Sequence, residues 1–371
     1  MKFPSKTVGL AFLIHTLIIA SSYFLAGILP SRPPAGFIDQ SLYPMAPALE
    51  SLVKWDAHWY THIANYGYDI KSIVFFPLLV LLIKLLSFFG LHTALAGLVL
   101  CNGFAFLSFW IMDVTFRMDF SPKQVRRALL AYALMPTSFF LNSIYTEPLF
   151  ITFSLLCIYG ARKKQWWLGG MAGAGAALTR NLGIFLFLFL LYEFFSDNSR
   201  RSRPFRTMIP LVLPPVALSA FMAYNAWAMG NPLAFIISQQ SWGRHFDFPW
   251  HNIMENIPLT FSPSPYSQPG LALDTILVIT SLIALLLFTV MARFNIPPSY
   301  LLLGWLWFLM PLCSTAPGAP LYSMSRFLLP LFPLYLFWGQ VSGKAFYSWL
   351  LLSGSALILC AALFINWYWI G

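Results

Sequence analysis

The feature that most constrains this chain is a succession of apolar segments running from one end to the other. Residues 8–30, 93–113, 128–144, 147–161, 166–179, 182–195, 208–229, 271–292, 299–313, 326–340 and 345–370 are almost free of charge. An upright helix needs ~20 apolar residues to cross a bilayer, so the longest runs cross outright. Shorter ones, such as 166–179 and 182–195, cross only in part. With 59% hydrophobic and 9% charged residues, the chain has too little polar side chain to cover a water-soluble body of this length. Backbone polar groups in lipid must be satisfied within the segment, which selects helices. The expected fold is therefore all-α, a polytopic integral membrane protein of about 11 transmembrane helices. It forms a single transmembrane domain over residues 1–371, with no stretch polar enough to be an appended soluble domain.

The formal net charge of +10 superficially suits a nucleic-acid binder. The basic residues lie instead in short clusters between apolar runs, the pattern of cytoplasmic loops, and nucleic acid is excluded as a partner. The run 73–90, which carries Lys84 in its middle, is ambiguous. If it lies in the interface as a helix, most lysines and arginines fall on one side, so it is read as non-crossing. Residues 31–90 then form a first extracytoplasmic loop and residues 230–270 a second. At the N-terminus, Lys2 and Lys6 precede an apolar run too long for a signal peptide, and the reading is a first membrane helix. Cys101, Cys157, Cys313 and Cys360 show no paired spacing and read as small core residues. The glycine- and alanine-rich stretch 169–177 reads as a face for close helix packing.

One stretch breaks the apolar pattern. Residues 54–69, beginning Lys54-Trp55-Asp56-Ala57-His58-Trp59-Tyr60, hold two acids, two histidines and five hydrogen-bonding aromatics. Polar side chains concentrated in a membrane protein mark its functional region. Asp56 is the candidate general base, taking a proton from a nucleophile within hydrogen-bond reach; capping a helix or pairing with Lys54 is the bland alternative. His58 and His62, four apart, share a helix face. With Asp56 they offer a loose metal pattern, but lining a substrate site is preferred, and no metal or other cofactor is assigned. Trp55 and Tyr60 complete the candidate substrate-binding set of this loop.

Three more charges matter. Glu147 opens an apolar run and either caps it or faces a polar cavity. Arg180, in Leu178-Thr179-Arg180-Asn181, interrupts an apolar hairpin and must pair with an acid such as Glu147 or with a phosphate. Arg326 opens a late apolar run; it either snorkels to head groups or holds a lipid-linked phosphate. Trp242, Trp250 and Tyr266 suit sugar stacking or interfacial anchoring equally. A single base with a phosphate clamp favours glycosyl transfer from a phosphate leaving group over hydrolysis, which ordinarily uses two carboxylates.

The same residues carry a resemblance. Trp55-Asp56-Ala57 with Tyr60, Ile63-Ala64, Gly67-Tyr68 and Phe75-Phe76-Pro77-Leu78 resembles the first-loop signature of PIG-V-type mannosyltransferases. In order after it come Pro136-Thr137-Ser138, Tyr145-Thr146-Glu147-Pro148-Leu149-Phe150, Leu178-Thr179-Arg180-Asn181-Leu182-Gly183, and Ser325-Arg326-Phe327 with Pro330 and Pro333. The family implies a GT-C type fold and dolichyl-phosphate-mannose-like donors. It also implies Asp56 as the base for the acceptor hydroxyl, with Arg180 and Arg326 on the donor phosphate. Lys54 departs from the arginine usual in eukaryotic members, and the short loops resemble a bacterial member. These features imply a polyprenyl-phosphate-sugar donor, a glycolipid or glycan acceptor other than a GPI precursor, and an inner (plasma) membrane location with the active site facing outward. The rival readings are a transporter or flippase of lipid-linked sugars, and a non-catalytic subunit of a glycosylation complex. Transport favours acids near the bilayer midplane in two related halves. Here the acids gather near one surface.

Overall fold

The computed structural model describes residues 3–197, 205–261, 269–292 and 296–371. In chain order the first helices are α1 (Lys6–Ala26), α2 (Pro47–Glu50), α3 (Asp56–Tyr66), α4 (Pro77–Phe88) and α5 (Thr93–Phe116). There follow α6 (Pro122–Ala133), α7 (Glu147–Arg162), α8 (Trp166–Ala177), α9 (Phe185–Ser196), α10 (Leu213–Met229) and α11 (Ala234–Ile237). The last are α12 (Pro249–Phe261), α13 (Pro269–Met291), α14 (Pro298–Leu312), α15 (Met324–Phe327), α16 (Phe332–Gln340) and α17 (Lys344–Ile365). Strands β1 (His245–Phe246) and β2 (Ser314–Thr315) pair antiparallel, His245 opposite Thr315. Among the described residues five segments are long and apolar enough to cross a membrane: Lys6–Ala26, Thr93–Phe116, Arg206–Met229, Pro269–Met291 and Lys344–Ile365. The protein is an all-α polytopic membrane protein, as its apolar runs require.

Sequence chemistry sets several helix ends. Ser121 and Gln124 form a reciprocal capping box at the start of α6, satisfying two otherwise orphaned N–H groups. Proline occupies the first turn of α4, α7 and α16, where no N–H is needed. Proline also explains where expectation fails. The run 128–144 is not one helix: α6 stops at Ala133, and an irregular buried path with a 3-10 turn at Ser138–Leu141 leads to Glu147. Pro136 sits in that path, and a proline disfavours helical geometry in the residue before it. The run 326–340 is likewise split into α15 and α16 around Pro330. Residues 230–270, expected as a loop, contain α11, β1 and α12. Tyr266 lies outside the described residues. The ambiguous run 73–90 holds the 12-residue α4, about 18 Å long at about 1.5 Å per residue, against the ~30 Å hydrocarbon core of a bilayer. Leu81, Leu85 and Phe88 form an exposed apolar stripe along it.

The chain divides into two compact units. The first comprises Met1–Gly36, Phe116–Phe140 and Trp242–Gly371. In it α1 packs on α6 and α17, α6 on α16, and α13 on α12, α15 and α16. His15 Nδ1 lies 2.9 Å from the Ala133 carbonyl. The Asn366 amide donates to Ala26 O at 2.8 Å. Tyr300 donates to Asp119 Oδ2 at 2.7 Å.

The second unit comprises Phe37–Thr115 and Leu141–Ser241 and is built on α7, α8, α9 and α10. The small-residue face of α8 allows backbones to meet. A Cβ on Gly170 would come within 2.0 Å of Pro210 O, and one on Gly160 within 2.5 Å of the Gly169 N. Glycine is required at these contacts by close approach alone. Cys101 and Cys157 are buried here, and Cys360 in the first unit; Cys313 is half-buried, and all four are free thiols.

Candidate active site

Asp56 begins α3 and lies half-buried in its first turn, where the helix dipole favours a negative charge. The residue before it, Trp55, has φ 56° and ψ −115°. That conformation is strained for any residue but glycine, and such strain gathers at functional sites. Lys54, one further back, is buried; its Nζ lies 3.7 Å from Glu50 Oε1. Burial lowers the Lys54 pKa and the Glu50 charge works against it. Lysine 54 thus meets Glu50 as an ion-pair partner.

The two histidines face elsewhere. Two residues of helix turn the direction by about 200°, so His58 points away from the Asp56 side. His58 Nδ1 accepts from the Asp39 N–H at 3.3 Å. Thr61 donates to Asp39 Oδ2 at 3.0 Å. His62 Nδ1 lies 4.0 Å from Asp39 Oδ1, and Asn65 donates to Ser41 Oγ at 3.1 Å. Positions 58, 61, 62 and 65 therefore form one face of α3, turned toward residues 39–41. Burial pushes the His58 pKa down to about 4, with Asp39 opposing, Lys54 reinforcing and a backbone bond at Val53 opposing. His58 is a neutral imidazole at physiological pH. The loose metal pattern of Asp56, His58 and His62 is not assembled, and no cluster of three or more metal-ligating side chains occurs among the described residues.

The remaining aromatics pack α3 in place. Trp59 stacks between Phe37 at 4.1 Å and Phe75 at 5.9 Å. Tyr60, one turn after Asp56 on the same face, meets Phe75 edge-on at 5.1 Å. Beyond α3, Asp69 Oδ1 accepts from the Ser72 and Lys71 N–H groups at 2.6 and 3.0 Å. Burial pushes the Asp69 carboxyl up, but its bonds to Ser72 and Lys71 outweigh this and hold it below its ordinary value. Tyr68, Phe76, Phe221, Tyr224 and Phe235 form an aromatic cluster, with Phe76 and Phe221 5.1 Å apart. The Tyr68 hydroxyl is enclosed there and has no hydrogen-bond partner among the described residues.

Glu147 and Arg180 meet. Glu147 stands in the first turn of α7, and its Oε1 accepts from Arg180 Nη1 at 2.5 Å, both side chains buried. The pairing expected for Arg180 is the one found, and it answers the charge of each in a low-dielectric setting. The segment before Glu147 is anchored on α5, with Asn142 Nδ2 donating to Asn102 Oδ1 at 2.8 Å. Tyr145 OH donates to the Lys54 carbonyl at 3.3 Å. This one bond ties a residue two before Asp56 to a residue two before Glu147. Leu78 N–H donates to Leu178 O at 2.9 Å, joining the Phe75-Phe76-Pro77-Leu78 segment to the Arg180 segment. A Cβ on Gly183 would lie 2.4 Å from Ala176 and Ala177 backbone atoms, so the Arg180 turn closes onto α8 only with glycine there.

Arg326 belongs to the first unit. Its turn follows Ser323, at φ 68°, and is held by the Ser325 N–H donating to Asp274 Oδ1 at 2.6 Å and by Thr137 donating to Ser325 O at 3.0 Å. The Arg326 guanidinium lies over Phe327 at 5.4 Å, and that of Arg244 over the same ring at 5.6 Å. Trp250 is exposed and stacks on Phe248 at 4.8 Å. Sequence reasoning passed over Asp39, gave Tyr145 no role beyond its place in a motif, and passed over Asp274. Each acts through a partner 22, 91 and 51 residues away, and none stands in a crowded polar stretch.

A model of the family described as Mannosyltransferase (PIG-V) matches residues 6–240, which take in Asp56, Glu147 and Arg180. Curated relatives are proteins named GPI alpha-1,6-mannosyltransferase 2. The mouse protein is 25% identical over 240 residues, 60% of this chain and 48% of its own length. The rat protein is 25% identical over 70% of this chain and 59% of its length, and the human one 27% identical over 54% and 45%. The chain spans about half the length of the curated relatives it matches. No solved structure matches it significantly. A family match over well more than half of the sequence, running through the segments that Tyr145 and Leu78 tie together, means that this chain belongs to the Mannosyltransferase (PIG-V) family.

Proposed function

We propose that the protein is an inverting glycosyltransferase that moves a hexose, mannose by its family, from a polyprenyl-phosphate-linked donor to a hydroxyl of a glycolipid or glycan acceptor. The reaction takes place at the extracytoplasmic face of the cell membrane. Asp56 removes the acceptor proton as the acceptor oxygen bonds to the anomeric carbon from the side opposite the leaving group. The bond from that carbon to the phosphate oxygen breaks, and the lipid phosphate departs with its electron pair. No second carboxylate is required, because phosphate leaves without prior protonation.

The observation that carries this reading is the arrangement around Tyr145. Its hydrogen bond to Lys54 O holds the start of α3, with Asp56, against the segment that delivers Glu147 to Arg180. A base and a fixed guanidinium then belong to one compact unit. Glu147 sets the direction of Arg180 toward a donor phosphate. Trp55 and Tyr60 line the acceptor side, whereas His58 and His62 serve the scaffold through Asp39. For Arg326, the support for a donor-phosphate contact is the family resemblance.

The test is Asp56→Asn, assayed for mannosyl transfer from polyprenyl-phosphate-mannose to extracted membrane glycolipids. Loss of a general base lowers turnover by about 10²–10⁴-fold, with donor binding retained. Turnover near wild type in a folded, membrane-inserted variant removes Asp56 from the mechanism.

A further inference from the structure

Asp39 is 2% exposed, in the segment between α1 and α2, and nothing about the reaction calls for a buried acid there. Its carboxylate is nonetheless saturated with directed contacts. Oδ1 accepts from the Ser41 N–H at 3.1 Å and from the Ser41 hydroxyl at 2.7 Å. Oδ2 accepts from Thr61, whose proton is shared with the Ala57 and His58 carbonyls. Its own N–H donates to His58, and His62 stands 4.0 Å from Oδ1. Three consecutive positions on one face of α3 therefore converge on one residue from a different segment.

A helix of 11 residues carrying a strained residue at its start has little intrinsic power to fix its own rotation. Rotation matters here, because Asp56 lies about 200° around α3 from His58, and a few degrees of roll displace the Asp56 carboxylate by a sizeable fraction of an ångström. Misplacement of a reacting group by about 1 Å costs about 100-fold in rate.

We infer that Asp39 is a positioning residue. By hydrogen bonding to His58 and Thr61, with His62 close by, it fixes the roll of α3 and so the direction in which Asp56 is presented to the acceptor hydroxyl. This rests on Asp56 acting as the base. Asp39 acts through hydrogen bonds and not through its charge on the substrate. Asparagine keeps the Oδ1 acceptor for Ser41, and its amide donates to Thr61 Oγ1 while the Thr61 proton turns wholly to the Ala57 and His58 carbonyls. Alanine removes every side-chain contact.

The experiment compares Asp39→Asn and Asp39→Ala in the full chain in nanodiscs, by steady-state transfer kinetics and by hydrogen–deuterium exchange of the α3 amides. The expected result is a fall in kcat of about 100-fold for Asp39→Ala with donor KM within about threefold, and retention of most turnover in Asp39→Asn. Exchange at residues 57–66 rises in Asp39→Ala and stays near wild type in Asp39→Asn. An Asp39→Asn variant as inactive as Asp39→Ala, with wild-type exchange, would overturn the inference by showing that the charge itself is needed. Wild-type exchange in Asp39→Ala overturns it too. Because exchange does not depend on turnover, it reads the clamp even if no transfer is found. Asp56→Asn, which lowers transfer by about 10²–10⁴-fold on the proposed mechanism, leaves α3 exchange unchanged. A failure of the reaction and a failure of the clamp are thereby told apart.

Discussion

Arginine 180 and glutamate 147 show what burial does to a charged pair. Each side chain is almost wholly enclosed, with the guanidinium also 6.0 Å over the Phe150 ring. Removing one partner leaves the other uncompensated, at a cost of about 3–5 kcal/mol. Replacing both with apolar side chains removes the desolvation penalty together with the attraction. Glu147→Leu and Arg180→Leu are each expected to lower the thermal unfolding temperature in detergent sharply, and the double variant by less than the sum. Strict additivity would mean that the two do not depend on each other. The pairing was legible in the sequence, because an arginine interrupting an apolar hairpin has few acids to choose from. The clamp at Asp39 was not: an isolated acid followed by Gln40 and Ser41 reads as an ordinary turn, and its partners appear only once α3 folds back on it.

At the scale of the element, α3 is a two-sided helix. One face presents Asp56 and Tyr60; the other locks onto residues 39–41. The four-residue spacing of His58 and His62 correctly put them on a shared face, but which face met what was a tertiary decision. This burial has a consequence for pH. The His58 pKa lies near 4 in the folded chain against about 6.5 when unfolded, so the unfolded chain binds more protons between these values and stability rises with pH across that window. Above about pH 6.5 the contribution is fully present; it is lost as pH falls toward 4, amounting to at most about 3 kcal/mol. Thermal melts from pH 7.5 to 4.5 are expected to fall more steeply for wild type than for His58→Gln. Equal slopes would take His58 out of the linkage. Proline governs element boundaries in the same physical way. Pro136 and Pro330 sit in runs that apolar content marks as continuous, and each run divides near its proline.

For the molecule as a whole, the proposed outward-facing site makes a topological prediction. Ile70 is exposed between α3 and α4, and Lys163 is exposed just after α7. Ile70→Cys is expected to react with a membrane-impermeant maleimide on intact cells, and Lys163→Cys only after permeabilisation. Labelling of both from outside would contradict the assignment of sides. Apolar runs and positive clusters by themselves determined the class of the protein, because a chain with so few charges has no stable alternative to helices in a membrane. The ordered motifs likewise determined its family. Tertiary structure decided what those one-dimensional signals do not encode: how prolines cut two apolar runs, which acid each histidine meets, and that Tyr145 joins the Asp56 segment to the Glu147–Arg180 pair. The reason is physical. Hydrophobic burial depends on composition and period and so can be read along the chain, whereas a hydrogen bond at about 3 Å depends on the mutual placement of segments up to 91 residues apart, which only packing supplies.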